Sequence, residues 1–162
     1  MNEKINYGVY FKSFNAKLQQ SSDELKSNFV DLTNYLLSYK GVKIRFSWYN
    51  ASFNKGRTKL MRFAIRGKTL YVYLPLDPKE YINTKYNVTD SSKTRKYLEV
   101  PLTLKIKSNR GLKFAKALLD QVIENYQLEL DSKPTKKFKI EDFPYLETQD
   151  LVEKGLIKII ER

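Results

Sequence analysis

Ten side chains hold most of the chemistry this chain can offer: Lys43, Arg45, Tyr49, Arg62, Arg66, Tyr71, Tyr73, Lys105, Lys107 and Arg110. The first nine fall on alternate positions of three stretches, "VKIRFSWYN", "LMRFAIRGKTLYVYLPL" and "PLTLKIKS", with apolar residues between them and no acid among them. In a strand, alternate residues share a face, so these nine would line one surface of a sheet. Arginine and lysine neutralise phosphates, and an exposed phenol ring gives a base a stacking surface worth about 1–3 kcal/mol. That combination predicts nucleic-acid binding, with the cations on phosphates and Tyr49, Tyr71 and Tyr73 stacking. Arg110 opens a helix whose N-terminus favours anions, and Lys113 and Lys116 follow it. Loops add Lys55, Arg57 and Lys59 on one side, and Lys93, Arg95 and Lys96 on another.

The same residue types suit a merely solvated sheet face, where arginine and tyrosine stack across strands. Two further readings stay open: the C-terminal segment folds over this face, or the face docks an acidic protein partner.

Charge along the chain favours a polyanion. The protein carries 30 Lys+Arg and 18 Asp+Glu, net +12. From Lys40 to Lys116 there are 19 basic and 4 acidic residues, net +15, leaving 11 against 14 elsewhere, net −3. A uniform solubility bias would not leave the flanks slightly acidic.

Other chemistries lack their residues. With no histidine and no cysteine, imidazole bases, Ser-His and Cys-His pairs, disulfides and thiolate or imidazole zinc sites are excluded. The six glycines are scattered, so no phosphate cradle is formed from them. Asp77 and Glu80 read as the cap of a helical turn, and Asp131-Ser132-Lys133 sits in a linker-like stretch. A carboxylate enzyme would need Asp77, Glu80 or Asp90 gathered in a cleft. No enzyme, metal or cofactor is expected. The sequons at Asn50 and Asn87 need a secretory route, and "MNEKINYGVY" lacks the apolar core of a signal peptide. No apolar run approaches the roughly 20 residues of a membrane span. The expectation is a cytoplasmic protein; the oligomeric state is not written in the sequence.

Elements must position these residues. "SFNAKLQQ" alternates like a strand, and Ser21 with Glu24 predicts a capping box opening a helix with Leu25, Phe29, Leu32, Leu36 and Tyr39 as its stripe, ended by Gly41. "VKIRFSWYN" predicts a strand with Ile44, Phe46 and Trp48 inward, and "ASFNKGR" a loop. A two-residue turn at Gly67-Lys68 pairs Arg66 with Thr69, Ile65 with Leu70, Ala64 with Tyr71, Phe63 with Val72, Arg62 with Tyr73 and Met61 with Leu74. Asp77-Pro78 opens a helical turn, "VTDSSKTRKY" is a polar connector, and "PLTLKIKS" puts Leu102, Leu104 and Ile106 inward. A second long helix runs from about Arg110 to Tyr126. The division is a core domain over 1–127, a linker over 128–139 and a C-terminal helix-strand segment over 140–162. The fold class is α+β: an antiparallel sheet with two long helices packed on one face, plus that short appendage.

Residues 13–126, and "LLSYKGVK", "IRGKTLYVYLPLDPKEY" and "KSNRGLKFAK" within them, resemble an uncharacterised domain of low-GC Gram-positive bacteria and mollicutes. The order helix, strand, hairpin, strand, helix is more distantly similar to YdhG-like domains, some labelled frataxin-like. That resemblance implies the fold; the iron site of such domains would need an acidic ridge where this chain has basic rows.

Overall fold

The computed structural model describes residues 9–133 and 137–160. In chain order the first elements are β1 (Val9–Lys12), α1 (Phe14–Gln19), α2 (Asp23–Leu37), β2 (Val42–Phe46), β3 (Ala51–Lys55), β4 (Thr58–Arg66) and β5 (Thr69–Leu74). After a 3-10 turn at Pro78–Glu80 come β6 (Thr89–Asp90), a second 3-10 turn at Arg95–Tyr97, β7 (Leu102–Ile106), α3 (Asn109–Asn125), α4 (Thr148–Glu153) and β8 (Ile157–Ile160).

Six strands form one antiparallel sheet in the order β2-β3-β4-β5-β7-β6, and β1 pairs with β8 in a separate ribbon. The β4–β5 register is the predicted one from Arg66 opposite Thr69 to Arg62 opposite Tyr73. Gly67 makes it possible: its φ of 59° is the left-handed value that the first position of a tight hairpin turn requires. The sixth expected pair is not part of the ladder, which ends at Arg62 and Tyr73; Met61 keeps Phe53 as its partner on the β3 side and Leu74 keeps Leu102 on the β7 side.

The inner face is the core. Phe53, Phe63, Ile65, Leu70, Val72, Leu102 and Leu104 meet Leu25, Phe29, Leu32 and Leu36 of α2 and Leu118, Leu119 and Val122 of α3. Both long helices therefore cover the same side, and the fold is α+β. Phe29 lies at the centre, with Phe63 at 5.1 Å, Phe143 at 5.5 Å and Phe14 at 5.8 Å between ring centroids.

Several elements differ from their sequence reading. "SFNAKLQQ" is the helix α1, not a strand, with the Ser13 side chain accepting from the Ala16 amide. Its apparent alternation has a physical cause. Phe14 and Leu18 face the main core, while Ala16 faces a small cluster with Leu151 and Ile157, so this short helix is buried on two sides. "ASFNKGR" supplies the strand β3, paired on both edges, and only Gly56-Arg57 is a turn. The cap of α2 is Ser22 rather than Ser21, and Gly41 turns the chain into β2 three residues beyond the Ser38 cap. Trp48 is no core residue: it sits half-buried in the 47–50 loop under the Lys158 ammonium.

The chain after α3 is tied back along its length. Asp131 donates its amide to the Ser38 carbonyl, and Asn34 holds the backbone of Phe138 by both its amide and carbonyl. Phe138 and Phe143 join the inner aromatic core. The described C-terminal residues thus pack on α1, α2 and the inner core, leaving the outer sheet face to be covered by something else.

Candidate nucleic-acid interface

Cross-strand pairing shows which predicted residues share the outer face. Arg45 lies opposite Ser52, Ser52 opposite Arg62, Arg62 opposite Tyr73, and Tyr73 opposite Thr103. A second row joins Ala64, Tyr71 and Lys105, and Lys43 pairs with Asn54 at the far edge. Four strand spacings, about 19 Å, separate β2 from β7. Tyr49 is not on a strand; it projects from the 47–50 loop, 65% exposed.

The connector that reads as polar in the sequence covers the centre of this face. Tyr97 lies flat on Tyr73, ring centroids 3.7 Å apart and planes 1° from parallel, and Val100 and Ala64 complete the cluster. Tyr73 is consequently 1% exposed and offers no stacking surface, against the expectation. Arg62 holds the connector in place, donating from Nε to the Ser52 hydroxyl at 3.2 Å and from a terminal nitrogen to the Lys96 carbonyl at 2.6 Å. Asn50, itself buried, donates to the Phe63 carbonyl at 3.0 Å and reaches the Tyr97 hydroxyl at 3.5 Å. These residues, predicted as contacts or overlooked, fasten the lid.

The two stacked phenols, Tyr73 of the sheet and Tyr97 of the lid, titrate in opposite directions. Burial, then the hydrogen bond it donates to Tyr97, pushes Tyr73 up. Burial acts to raise Tyr97 as well, but hydrogen bonds from Asn50 and Tyr73 and the Lys96 charge outweigh it and hold Tyr97 below the ordinary value of 10.0.

The margins of the face remain open. Tyr71 is half-buried, with the Arg66 guanidinium 5.1 Å and the Lys105 ammonium 5.5 Å from its ring centroid. Lys43, Arg45, Arg66, Lys105, Lys107 and Arg110 are exposed. Where β6 stops, a cleft of about 530 Å³ opens between the 85–89 segment, β7 and α3, lined by Lys85, Lys105, Lys107 and Arg110 together with Tyr86 and Phe114.

Lys17, Lys12 and the loop cation Lys96 sharpen the field. Lys17 donates to the Ile65 carbonyl at 3.1 Å, and its pKa is lowered first by burial and then by Arg66, Lys96 and Lys12. Lys96 is lowered by burial too; Tyr97 acts to raise it, and Arg62 and Arg66 add to the lowering. The charges of Lys12, Arg62 and Arg66 thus bear on Lys17 and Lys96 beside the lid. Among the described residues the ion pairs are Lys40–Glu129, Lys59–Glu99 and Lys116–Asp31, and none involves the ten predicted residues or these lysines. Lys17 lies in the stretch that alternates like a strand and Lys12 just before it, outside the three stretches that predict the basic face. The apolar pair Tyr97 and Val100 within "RKYLEVP" was the available sign of the lid.

Asp77, Asp90 and Glu99 line a shallow depression of about 420 Å³. Each carboxylate is already engaged: Asp77 caps the 3-10 turn, Asp90 accepts from the Ser92 amide at 2.8 Å, and Glu99 pairs with Lys59. Hydrogen bonds from Ser92 hold Asp90 below the usual carboxylate range. Among the described residues no three acidic side chains gather closely enough to hold a metal ion, and no helix is long and apolar enough to cross a membrane. Comparison with protein-family models, curated proteins and solved structures returned no match.

Proposed function

We propose that this chain is a non-enzymatic module that binds nucleic acid, RNA or single-stranded DNA, on the margins of its outer sheet face. Arg45, Arg66, Lys105, Lys107, Arg110 and Lys43 contact phosphates, and Tyr71 provides a ring beside them. Arg62 and Tyr73 support the surface rather than touch the ligand. One observation carries the reading: Lys17 and Lys96, lowered first by burial, are lowered further by the charges of Lys12, Arg62 and Arg66, and among the described residues no ion pair neutralises these five, so an incoming polyanion relieves the repulsion.

The test is Lys105→Glu combined with Lys107→Glu, at two exposed positions with no ion pair. Binding of single-stranded RNA should weaken at least tenfold, and the salt slope should shrink by about 1.4, the share of two phosphates at about 0.7 each. An unchanged melting temperature shows that the fold survives; unchanged affinity would refute the assignment.

A second reading has one observation in its favour. β6 covers only Leu102 and Thr103, so among the described residues the β7 edge from Leu104 to Ile106 is unpaired beside Lys105 and Lys107. An acidic extended peptide could add there as a strand. A partner retained in a pull-down after nuclease treatment would favour that adaptor role.

A further inference from the structure

Sheet-face binders need rings that are free, and the centre of this sheet has none to spare. We propose that unpaired bases stack at the end of the sheet, on Trp48 and Tyr49, and that this pair makes the surface select single strands over duplex. The inference rests on the nucleic-acid reading above and adds the residues that set its specificity.

Tyr49 is 65% exposed, and Trp48, half-buried, belongs to none of the core clusters. Each ring carries an ammonium: Lys96 lies 4.3 Å from the Tyr49 centroid and Lys158 4.6 Å from that of Trp48. Lys158 stands opposite Phe11 in the β1–β8 ribbon, so Phe11, 51% exposed, shares its face. Phe11, Lys158, Trp48, Tyr49 and Lys96 thus run from the ribbon through the 47–50 loop, with an ammonium against each of the two loop rings. Lys96 in turn joins this patch to the outer-face cations, because its carbonyl accepts from Arg62 and its charge feels Arg66.

An exposed cation–ring contact is worth only about 0.5–1 kcal/mol, so a lysine moves readily from a ring to a phosphate. A ring vacated in this way offers its face to a base, worth about 1–3 kcal/mol per base. In a duplex the base faces are already stacked on one another, so only an unpaired strand can use Trp48 and Tyr49. Trp48, Tyr49 and their lysines would also suit a lipid headgroup layer; a nucleic acid is favoured because Lys96 joins these rings to the cations of the outer face.

Trp48 is the only tryptophan of the chain, so its fluorescence reports on this place and no other. The full chain is titrated with oligouridylate and with a duplex of equal length, while fluorescence anisotropy of the labelled nucleic acid follows binding in parallel. Oligouridylate should quench Trp48, and bound duplex should leave it unchanged. Tyr49→Ala should weaken oligouridylate binding about tenfold while duplex affinity and melting temperature stay as they are. Anisotropy that shows oligouridylate bound with Trp48 unquenched overturns the inference and leaves the nucleic-acid reading standing, as does an equal loss for both ligands. A response of Trp48 to phosphatidylserine vesicles but not to oligouridylate also overturns it, in favour of a membrane. No anisotropy change with either nucleic acid defeats both proposals together.

Discussion

Tyr73 and Tyr49 are the same residue type on the same side of the molecule, and they live in opposite circumstances. Tyr73, at the middle of the sheet, is sealed under Tyr97 and hydrogen-bonded to it; Tyr49, at the end, is 65% exposed under a mobile type of partner, a lysine chain. Alternation tells which face of a sheet a residue occupies. It does not tell whether another segment lies on that face, and here that second fact separates a structural centre from a binding margin.

The sharpest way to break the contrast is at the lid. Tyr97→Ala removes a buried ring from the Tyr73–Ala64–Val100 cluster and should cost about 3–5 kcal/mol, read as a large drop in melting temperature. Tyr49→Ala, an exposed loop position, should stay within about 0.5 kcal/mol of the parent. Comparable losses from the two would mean that the margin is as structural as the centre. Next in size is Asn50→Ala, which leaves the buried Phe63 carbonyl without its donor and should cost about 1–3 kcal/mol by chemical denaturation. Arg62→Ala should follow at about 1 kcal/mol, through the lost tie to the connector, whereas Lys105→Ala on the open margin should barely register.

The smallest effect concerns pH. Tyr35 donates its hydroxyl to Asp120, and that bond, then burial, raises its pKa above the ordinary 10.0. A raised phenol keeps its proton in the folded state when the unfolded chain has lost it, so its stabilisation is complete below pH 10.0 and is lost as pH climbs beyond that value. Tyr35→Phe should therefore melt slightly below the parent at neutral pH, with the gap closing above pH 10.0.

The sheet's core was written plainly in the chain. Gly67 fixes a two-residue turn, and the strict alternation on either side leaves one register that keeps arginine out of the core; β7 and the stripes of α2 and α3 are as regular. The parts that were illegible share a reason: their environment changes along a few residues. α1 is buried on two sides, which makes helical spacing look like alternation, and β3 is strand built from Ser and Asn beside a turn glycine. Tyr97 reaches the sheet from the 88–97 connector, whose other residues are exposed or half-buried, so the sequence signals the lid by Tyr97 and Val100 alone. Nine of the ten candidate residues keep a place outside the core; Tyr73 is the exception, and Arg62 and Tyr71 are half-covered.

The most direct measurement is fluorescence anisotropy of labelled single-stranded RNA with the full chain across a salt series. The outer margin predicts micromolar or tighter binding, with log K falling against log salt at a slope of about −4, the share of six phosphates at about 0.7 each. Absence of binding at low salt, or an affinity indifferent to salt, would contradict the account and leave the clustered cations without the polyanion it assigns to them.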